Sequence, residues 1–268
     1  MKGPSRTARI ALHFFEEPPI SGTRGSGTVF FTGCNLRCVF CQNEALRDGR
    51  LGTAMTAESL AKAYLRLQAE GAHNINLVTP APHVPIIRSS LRLAKEMGLT
   101  LPIVYNTNAY EREDTLKLLE GLIDIYLPDF KYVSPLLSKR FSDAEDYAMV
   151  AEASISEMLR QVGNLELDEN GLAKKGVLIR HLVLPDCVFD TRKVLDRILT
   201  LWGNETHISL MSQYTPTPSC TTSPLNRRLT QREYDRAVDY ALSLGFSHIY
   251  IQDRSSADLS YTPNFFED

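Results

Sequence analysis

Short apolar runs alternate with amphipathic ones along the middle of this chain, and that alternation limits the folds open to it. The apolar runs lie at 28–32, 74–78, 102–106, 123–127, 177–184 and 207–211, with a seventh at 248–252. Each is rich in Val, Ile, Leu, Phe or Tyr. Most are continuous rather than alternating, as for parallel strands covered on both faces. The amphipathic runs between them carry helix punctuation. Thr56 stands as N-cap before Leu60, Tyr64 and Leu67, with Gly71 as the stop. Pro85 suits the first turn of a helix bearing Ile87, Leu91 and Ala94, with Gly98 after it. A third helix covers 111–120 ahead of Gly121, and Asp190 caps one that ends near Gly203. Ser142 with Glu145, and Thr230 with Glu233, have capping-box spacing.

Strand then helix, repeated about six times, implies a parallel sheet with crossover helices. Six units fall short of a full eight-unit barrel. No Pro/Gly-rich linker divides them, so the expected organisation is a single domain. It has an N-terminal extension (1–27) with a glycine-rich segment, a core (28–245), and a C-terminal strand and tail (246–268). Strand-to-helix loops at the carboxyl ends of such strands carry ligands, so functional residues are expected just after each apolar run. The long proline-bearing loop at 214–229 follows the last core strand and is expected over that face.

Composition narrows the function. The 268 residues are 43% hydrophobic and 23% charged, with net charge −3. That balance excludes intrinsic disorder and gives no electrostatic reason to expect nucleic acid or an anionic membrane as the main partner. No run approaches the ~18–20 apolar residues that span a bilayer, and no signal-type apolar segment follows the basic start. A cytoplasmic location without membrane attachment is the expectation. In that compartment thiols stay reduced, and three of the five cysteines lie within eight residues, which points to metal or redox chemistry.

That cluster is Gly33-Cys34-Asn35-Leu36-Arg37-Cys38-Val39-Phe40-Cys41, a C-x3-C-x2-C spacing directly after the first apolar run. Three thiolates on one loop can ligate three irons of a [4Fe–4S] cluster and leave one iron open. The alternatives are a zinc site completed by a remote His13 or His73, or three unrelated cysteines. Zinc spacings more often come as paired C-x2-C, and no second pair exists here.

The cysteine spacing, with Phe40 before the last cysteine, resembles the signature of the radical S-adenosylmethionine (SAM) superfamily. The longer run from Gly22 to Asn43 is similar to activating enzymes of glycyl radical enzymes, and most of all to uncharacterised homologues of pyruvate formate-lyase activating enzyme. The likeness extends from about residue 8 to about residue 217. It implies a partial (β/α)6 TIM-like barrel. It also implies a cluster whose open iron takes the amino and carboxylate groups of SAM and whose electron breaks the C5′–S bond, leaving methionine and a 5′-deoxyadenosyl radical that abstracts hydrogen from a substrate. An electron donor such as flavodoxin or ferredoxin is implied in the same way.

Further positions follow from the resemblance. Asp129 and Lys131 match an Asp-x-Lys pair that holds the methionine part of SAM. Asn106-Thr107-Asn108 matches an Asp-Thr-Asn-Gly run with Asn106 in place of the first acid. Arg180 matches a fifth-strand arginine that contacts SAM. Thr79-Pro80-Ala81 stands where the family has Gly-Gly-Glu, so the Thr79 hydroxyl and backbone carbonyls are expected to take that role. Gln213-Tyr214 stands in place of Tyr-His. The expected cofactor-binding set is therefore Phe40, Thr79, Asn106, Asn108, Asp129, Lys131, Arg180 and Gln213, with Cys34, Cys38 and Cys41 on the metal. His83 is a further candidate for the pocket. Tyr132, Gln213 and Tyr214 are candidates for the substrate side, and His181 is either structural or on that side. Cys187 and Cys220 are read as buried thiols. The expected activity is hydrogen abstraction from a protein or peptide, a glycine among the candidates, with the 214–229 loop and the 132–142 segment as docking elements. The alternatives are the same chemistry on a small molecule, or a non-catalytic iron–sulfur or zinc redox sensor.

Overall fold

The computed structural model describes residues 5–252; the ends of the expected extension (1–4) and tail (253–268) lie outside the described residues. In chain order the elements are β1 (Arg6–His13), α1 (Pro18–Ser21), β2 (Ser26–Phe31), α2 (Glu44–Arg47), β3 (Thr53–Ala54), α3 (Ala57–Ala69), β4 (Ile75–Val78), a 3-10 turn (Ala81–His83) and α4 (Val84–Glu96). Then come β5 (Ile103–Thr107), α5 (Glu113–Lys117), β6 (Ile125–Pro128), α6 (Pro135–Ser142), α7 (Tyr147–Val162), β7 (Glu166–Leu167), β8 (Ala173–Leu182), α8 (Val188–Trp202), β9 (His207–Met211), α9 (Gln231–Ser243) and β10 (Ile249–Ile251).

The sheet runs β10-β9-β8-β6-β5-β4-β2-β1-β3, with β7 paired off the path to β8. From β2 to β10 every neighbouring pair on that path is parallel. Among the described residues the sheet does not close on itself, so the six-unit core is a partial barrel of the kind the alternation implies. All seven apolar runs became strands. Among the described residues, no helix is long and apolar enough to cross a membrane.

Side chains alternate across each strand and divide the core in two. Val29, Leu77, Tyr105, Tyr126 and Val177 occupy matched register positions, fully buried against the helices. The neighbouring positions Val104, Ile125, Leu127 and Leu178 face the other way and pack around Ile20 of α1. Those inward positions also carry the polar groups Asn76, Asn106 and Arg180 described below. Burying Ile20 there draws the segment before it, Glu16 and Glu17, into the inner space.

The helix punctuation is largely realised. Thr56 Oγ1 accepts the Ser59 amide, and Thr230 with Glu233 forms a full capping box. Three expectations fail. Ser142 does not open a helix but closes α6, which starts at the Ser134 cap with Pro135 next, and it turns its hydroxyl to Cys38. Asp190 lies inside the first turn of α8, where its carboxylate accepts the Val133 and Ser134 amides ahead of α6. The 111–120 helix shrinks to α5, because Glu111 folds inward. The first strand of the chain, β1, falls in the stretch read as an extension. It pairs antiparallel with β2 and is mostly half-exposed, so its residues show no continuous apolar run.

Glu111 accepts hydrogen bonds from Tyr105 (2.7 Å) and from Thr107, and burial pushes its carboxyl up to about 7. Against 4.5 for an ordinary carboxyl, the fold holds this proton more tightly than the open chain does. Stability from this group is therefore complete below about 4.5 and falls by about 3 kcal/mol as pH rises to about 7. Glu111→Gln should remove that slope. Denaturant midpoints of variant and wild type at about pH 5 and about pH 8 check it: the variant should gain on the wild type at the higher pH.

Candidate active site

The cysteine loop leaves β2 through Gly33, whose φ of 92° is a left-handed conformation natural to glycine. Backbone hydrogen bonds pin the loop between two helices. Gly33 and Cys34 donate to Leu46 and Arg47 of α2 (2.7 and 3.0 Å). Arg37 and Val39 donate to Ser142 and Phe141 at the end of α6 (3.1 and 2.9 Å). Arg47 Nη1 also donates to the Cys38 carbonyl (3.2 Å). The loop at 214–229 lies across it from the other side: Tyr214 packs edge-on to Phe40, and Ser219 donates to Glu44.

All three loop cysteines are free thiols. Asn108 Nδ2 donates to Cys34 Sγ (3.4 Å), and Ser142 Oγ lies 3.0 Å from Cys38 Sγ. Burial pushes the Cys38 thiol up, with Lys131 opposing. Burial, then the two neighbouring cysteines, pushes Cys41 up to about 12. Such thiols resist ionisation unless a concentrated positive charge joins them, and iron in a cluster supplies one. Among the described residues, no three His, Cys, Asp or Glu side chains converge on a single-ion site. One cysteine on each of three irons asks for no such convergence, so this donor set fits a cluster. Of the histidines weighed as zinc ligands, His13 lines the cavity, whereas His73 is engaged by Arg24.

Facing the loop is a network of charge, with Glu17 buried and Glu16, Asp129, Lys131 and Arg180 largely so. Asp129 and Arg180 are bridged across β6 and β8, immediately past the end of β6. Asp129 Oδ2 takes Lys131 Nζ at 2.7 Å, and Oδ1 takes Arg180 Nε at 3.0 Å. Arg180 Nη2 donates to Asn106 Oδ1 (2.6 Å), and Nη1 lies 3.5 Å from Glu16 and 3.8 Å from Glu17. Asn76 and Asn106 both donate to Glu16 (3.1 and 3.4 Å). Tyr147 donates to the Asp129 carbonyl (2.5 Å) and accepts the Lys131 amide (3.1 Å).

Burial alone would raise the Asp129 carboxyl, but Arg180 and Lys131 outweigh it and hold it below the carboxylate range. Burial likewise opposes charge on Lys131, and Asp129 more than restores it. Glu16 and Glu17 go the other way: burial raises both against the pull of Arg180. Three acids surround two bases, so one Glu holding its proton leaves the network neutral.

A cavity of about 270 Å³ separates loop and network. Cys34, Cys38, Cys41, Phe40, Thr79, Asn106, Asn108, Asp129, Lys131, Arg180 and Gln213 all line it. Thr79 does so with φ of 57°, a strained value for a β-branched residue, at the strand end where its amide donates to the Asn106 carbonyl.

Other candidates fall elsewhere. His83 does not face the cavity: it is buried against Phe31, with Nε2 2.8 Å from the Thr32 carbonyl and Nδ1 2.5 Å from Ser5 Oγ. His181 is structural, spanning the Phe130 carbonyl and Thr191, and burial lowers it to about 4. Tyr214 and Gln213 line the cavity, whereas Tyr132 lies behind the cysteine loop. Cys187 and Cys220 are buried, Cys220 beside the Tyr214 hydroxyl. Glu16, Glu17, Asn76 and Ser142 were missed. Two acids ahead of Pro18-Pro19 were the available signal for the first pair; only pairing of β1 with β2 turns them inward.

Several known proteins are similar to this chain in sequence or in fold. The chain is 30% identical over 238 residues to an uncharacterised protein of Methanocaldococcus jannaschii, covering 84% of this chain and 64% of that one. It is 26% identical over 183 residues to the pyruvate formate-lyase-activating enzyme of Clostridium pasteurianum, covering 65% and 68%. Among solved structures, SuiB of Streptococcus suis shares the fold at 13% identity. Bound to S-adenosylmethionine, it gives a TM-score of 0.56 over 83% of this chain and 48% of that one. Bound to precursor peptide SuiA, it gives 0.57 over 83% and 47%. This chain thus spans under two thirds of the archaeal relative and about half of SuiB. The family model described as the radical SAM superfamily matches residues 28–162, half of the chain and the stretch that carries the cysteine loop, Asp129 and Lys131, and the chain belongs to that superfamily.

Proposed function

We propose that this chain holds a [4Fe–4S] cluster on Cys34, Cys38 and Cys41, binds SAM at the open iron, and abstracts hydrogen from a protein or peptide. Membership of the superfamily implies the cluster and SAM. The observation that carries the residue assignment is the cavity they share, which brings the three thiols and the charged strand ends face to face. When bound, cluster and SAM together supply one-electron cleavage of a sulfonium and a carbon-centred hydrogen abstractor, fed by a donor of flavodoxin or ferredoxin type.

The chain's own residues bind, orient and shield. Lys131 offers its ammonium to the SAM carboxylate, a charge-assisted contact that Asp129 keeps fully charged. Arg180 is already committed to Asp129 and Asn106, so it fixes those two side chains. Asn106 and Thr79 present amide and hydroxyl at the strand ends, and Asn108, directly after β5, ties that strand end to Cys34. Phe40, Leu36, Leu46, Val78, Leu182 and Met211 give the cavity an apolar wall that excludes water from a reactive centre. Support for a macromolecular substrate comes from the activating-enzyme relative and from the peptide bound by SuiB.

After anaerobic loading with iron and sulfide, the reduced protein should convert SAM to 5′-deoxyadenosine and methionine. A loaded, reduced protein that forms neither overturns the reading. Offered deuterated macromolecular and low-mass fractions of a cell extract separately, the enzyme should enrich 5′-deoxyadenosine in deuterium from the macromolecular one. Enrichment from the low-mass fraction alone would assign a small-molecule substrate instead. Lys131→Ala should keep the cluster absorbance and weaken SAM binding roughly 10- to 100-fold, the worth of one hydrogen bond to a charged group. Calorimetric titration of SAM into the loaded variant measures it.

A further inference from the structure

We infer that Ser142, steered by Tyr132, raises the reduction potential of the bound cluster through a hydrogen bond to Cys38 Sγ; this rests on the cysteine assignment proposed above.

The backbone builds the contact. Helix α6 begins at the Ser134 cap and ends where Asp143 turns left-handed (φ 55°). Its last carbonyls, on Phe141 and Ser142, accept the amides of Val39 and Arg37. The cysteine loop is therefore laid along the end of α6 by main-chain bonds on either side of Cys38. Ser142 has 1% of its surface exposed, and its hydroxyl has nowhere to turn but inward.

The direction of the bond follows from satisfying buried donors. Ser142 Oγ lies 3.0 Å from Cys38 Sγ and 3.1 Å from the Tyr132 hydroxyl. Tyr132 is 1% exposed, and among the described residues Ser142 Oγ is the hydrogen-bond partner of its hydroxyl. A buried phenol left without an acceptor is costly, so Tyr132 donates to Ser142. Ser142 has one proton of its own and gives it to sulfur. A metal-bound thiolate carries no proton and can only accept.

Reduction adds negative charge to the cluster, part of which resides on the cysteine sulfurs. A donor at Cys38 stabilises the reduced state more than the oxidised one and makes reduction easier. The dry surroundings of Cys38 act the other way, so this hydroxyl offsets part of what burial costs the reduced form. The contacts at Cys34 are longer, 3.4 Å from Asn108 Nδ2 and 3.5 Å from the Leu36 amide. Ser142 is the short, sequestered one.

The test compares loaded wild-type protein with Ser142→Ala, Ser142→Thr and Tyr132→Phe in a mediated anaerobic redox titration read by electron paramagnetic resonance. Iron and sulfide content are measured first. In Ser142→Ala the ratio of reduced to oxidised cluster at fixed potential should fall about tenfold, equivalent to 59 mV for a one-electron couple. Ser142→Thr keeps the donor and should stay within about twofold. Tyr132→Phe leaves the Ser142 proton unsteered and should fall in the same direction by less. An unchanged or raised midpoint in Ser142→Ala at full cluster content overturns the inference, and so does an equal fall in Ser142→Thr. If Ser142→Ala does not retain a cluster, Tyr132→Phe decides alone, an unchanged midpoint refuting the idea. A wild-type protein that loads no cluster is a different failure: it removes the cysteine assignment itself.

Discussion

Cys38→Ala, loaded under the same anaerobic conditions as the wild type, should emerge without the broad visible absorbance of a cluster and form no detectable 5′-deoxyadenosine. Cys38 is the middle thiol of the loop and sits deepest, with 9% of its surface exposed and the Ser142 hydroxyl 3.0 Å from its sulfur. Each cysteine is assigned one iron, so its removal leaves two anchors for four metals and solvent at an iron that protein should hold. Alanine suits the site otherwise. The loop is held by main-chain bonds from Gly33, Cys34, Arg37 and Val39, none of which uses the thiol. Far-ultraviolet circular dichroism should therefore match the wild type, so that loss of colour reports ligation rather than unfolding. Cys187→Ala and Cys220→Ala are the controls. Both thiols are buried outside the cavity lining, and both variants should keep colour and cleavage. Full cleavage activity in Cys38→Ala would sink the cluster assignment, and colour lost in the controls would point to the wrong set of sulfurs.

Asp129→Ala should be the most destabilising single change at the site. It withdraws the carboxylate that pairs both Lys131 at 2.7 Å and Arg180 at 3.0 Å. Glu16 and Glu17 stand farther from Arg180 and cannot take over the Lys131 contact made by Asp129 Oδ2. Breaking a buried pair by removing one partner costs about 3–5 kcal/mol, because the other charge is left without compensation; Lys131 and Arg180 keep 19% and 13% of their side chains exposed at the cavity, which puts the cost at the lower end. That is a large part of the 5–15 kcal/mol by which domains are typically stable. The denaturant midpoint should fall accordingly with the slope unchanged. Asp129→Asn keeps the shape but only one of the two acceptor oxygens, turning an N–H donor toward Lys131 or Arg180, and should lie between. The pH dependence fixes the cause. Arg180 and Lys131 hold the native Asp129 carboxyl below its ordinary 3.8, so its contribution is complete above that value. It is lost as pH falls through the depressed native value, where the carboxyl takes up its proton. The gap between wild type and Asp129→Ala should accordingly stay constant at neutral pH and narrow only in strong acid. A gap that closed between about pH 5 and about pH 7 would assign it to another group.

Local information carried much of this. Continuous apolar runs located every parallel strand, because a strand buried on both faces needs apolar residues at successive positions. Helix ends were legible where a cap acts within its own turn, as at Thr56 and Thr230. They were not at Ser142 and Asp190, which have capping chemistry but spend it on partners far along the chain: a cysteine 104 residues away and the amides before α6. Thr79 and His83 share one short segment and part company on geometry: a left-handed turn aims Thr79 at the cavity, and a 3-10 turn folds His83 under Phe31.

From its residues alone, then, this chain declares a parallel α/β core and a three-thiol loop placed at the carboxyl end of its first parallel strand, because periodicity and spacing are local quantities. Tertiary structure decided what surrounds that loop. Strand β1 pairs back on β2, Ile20 enters the inner core, and Glu16 and Glu17 arrive beside Arg180; α6 ends where Ser142 meets Cys38. These groups become neighbours only when distant segments share one desolvated space. There an unpaired charge or donor is costly enough to dictate its partner, and no local pattern of residues records that cost.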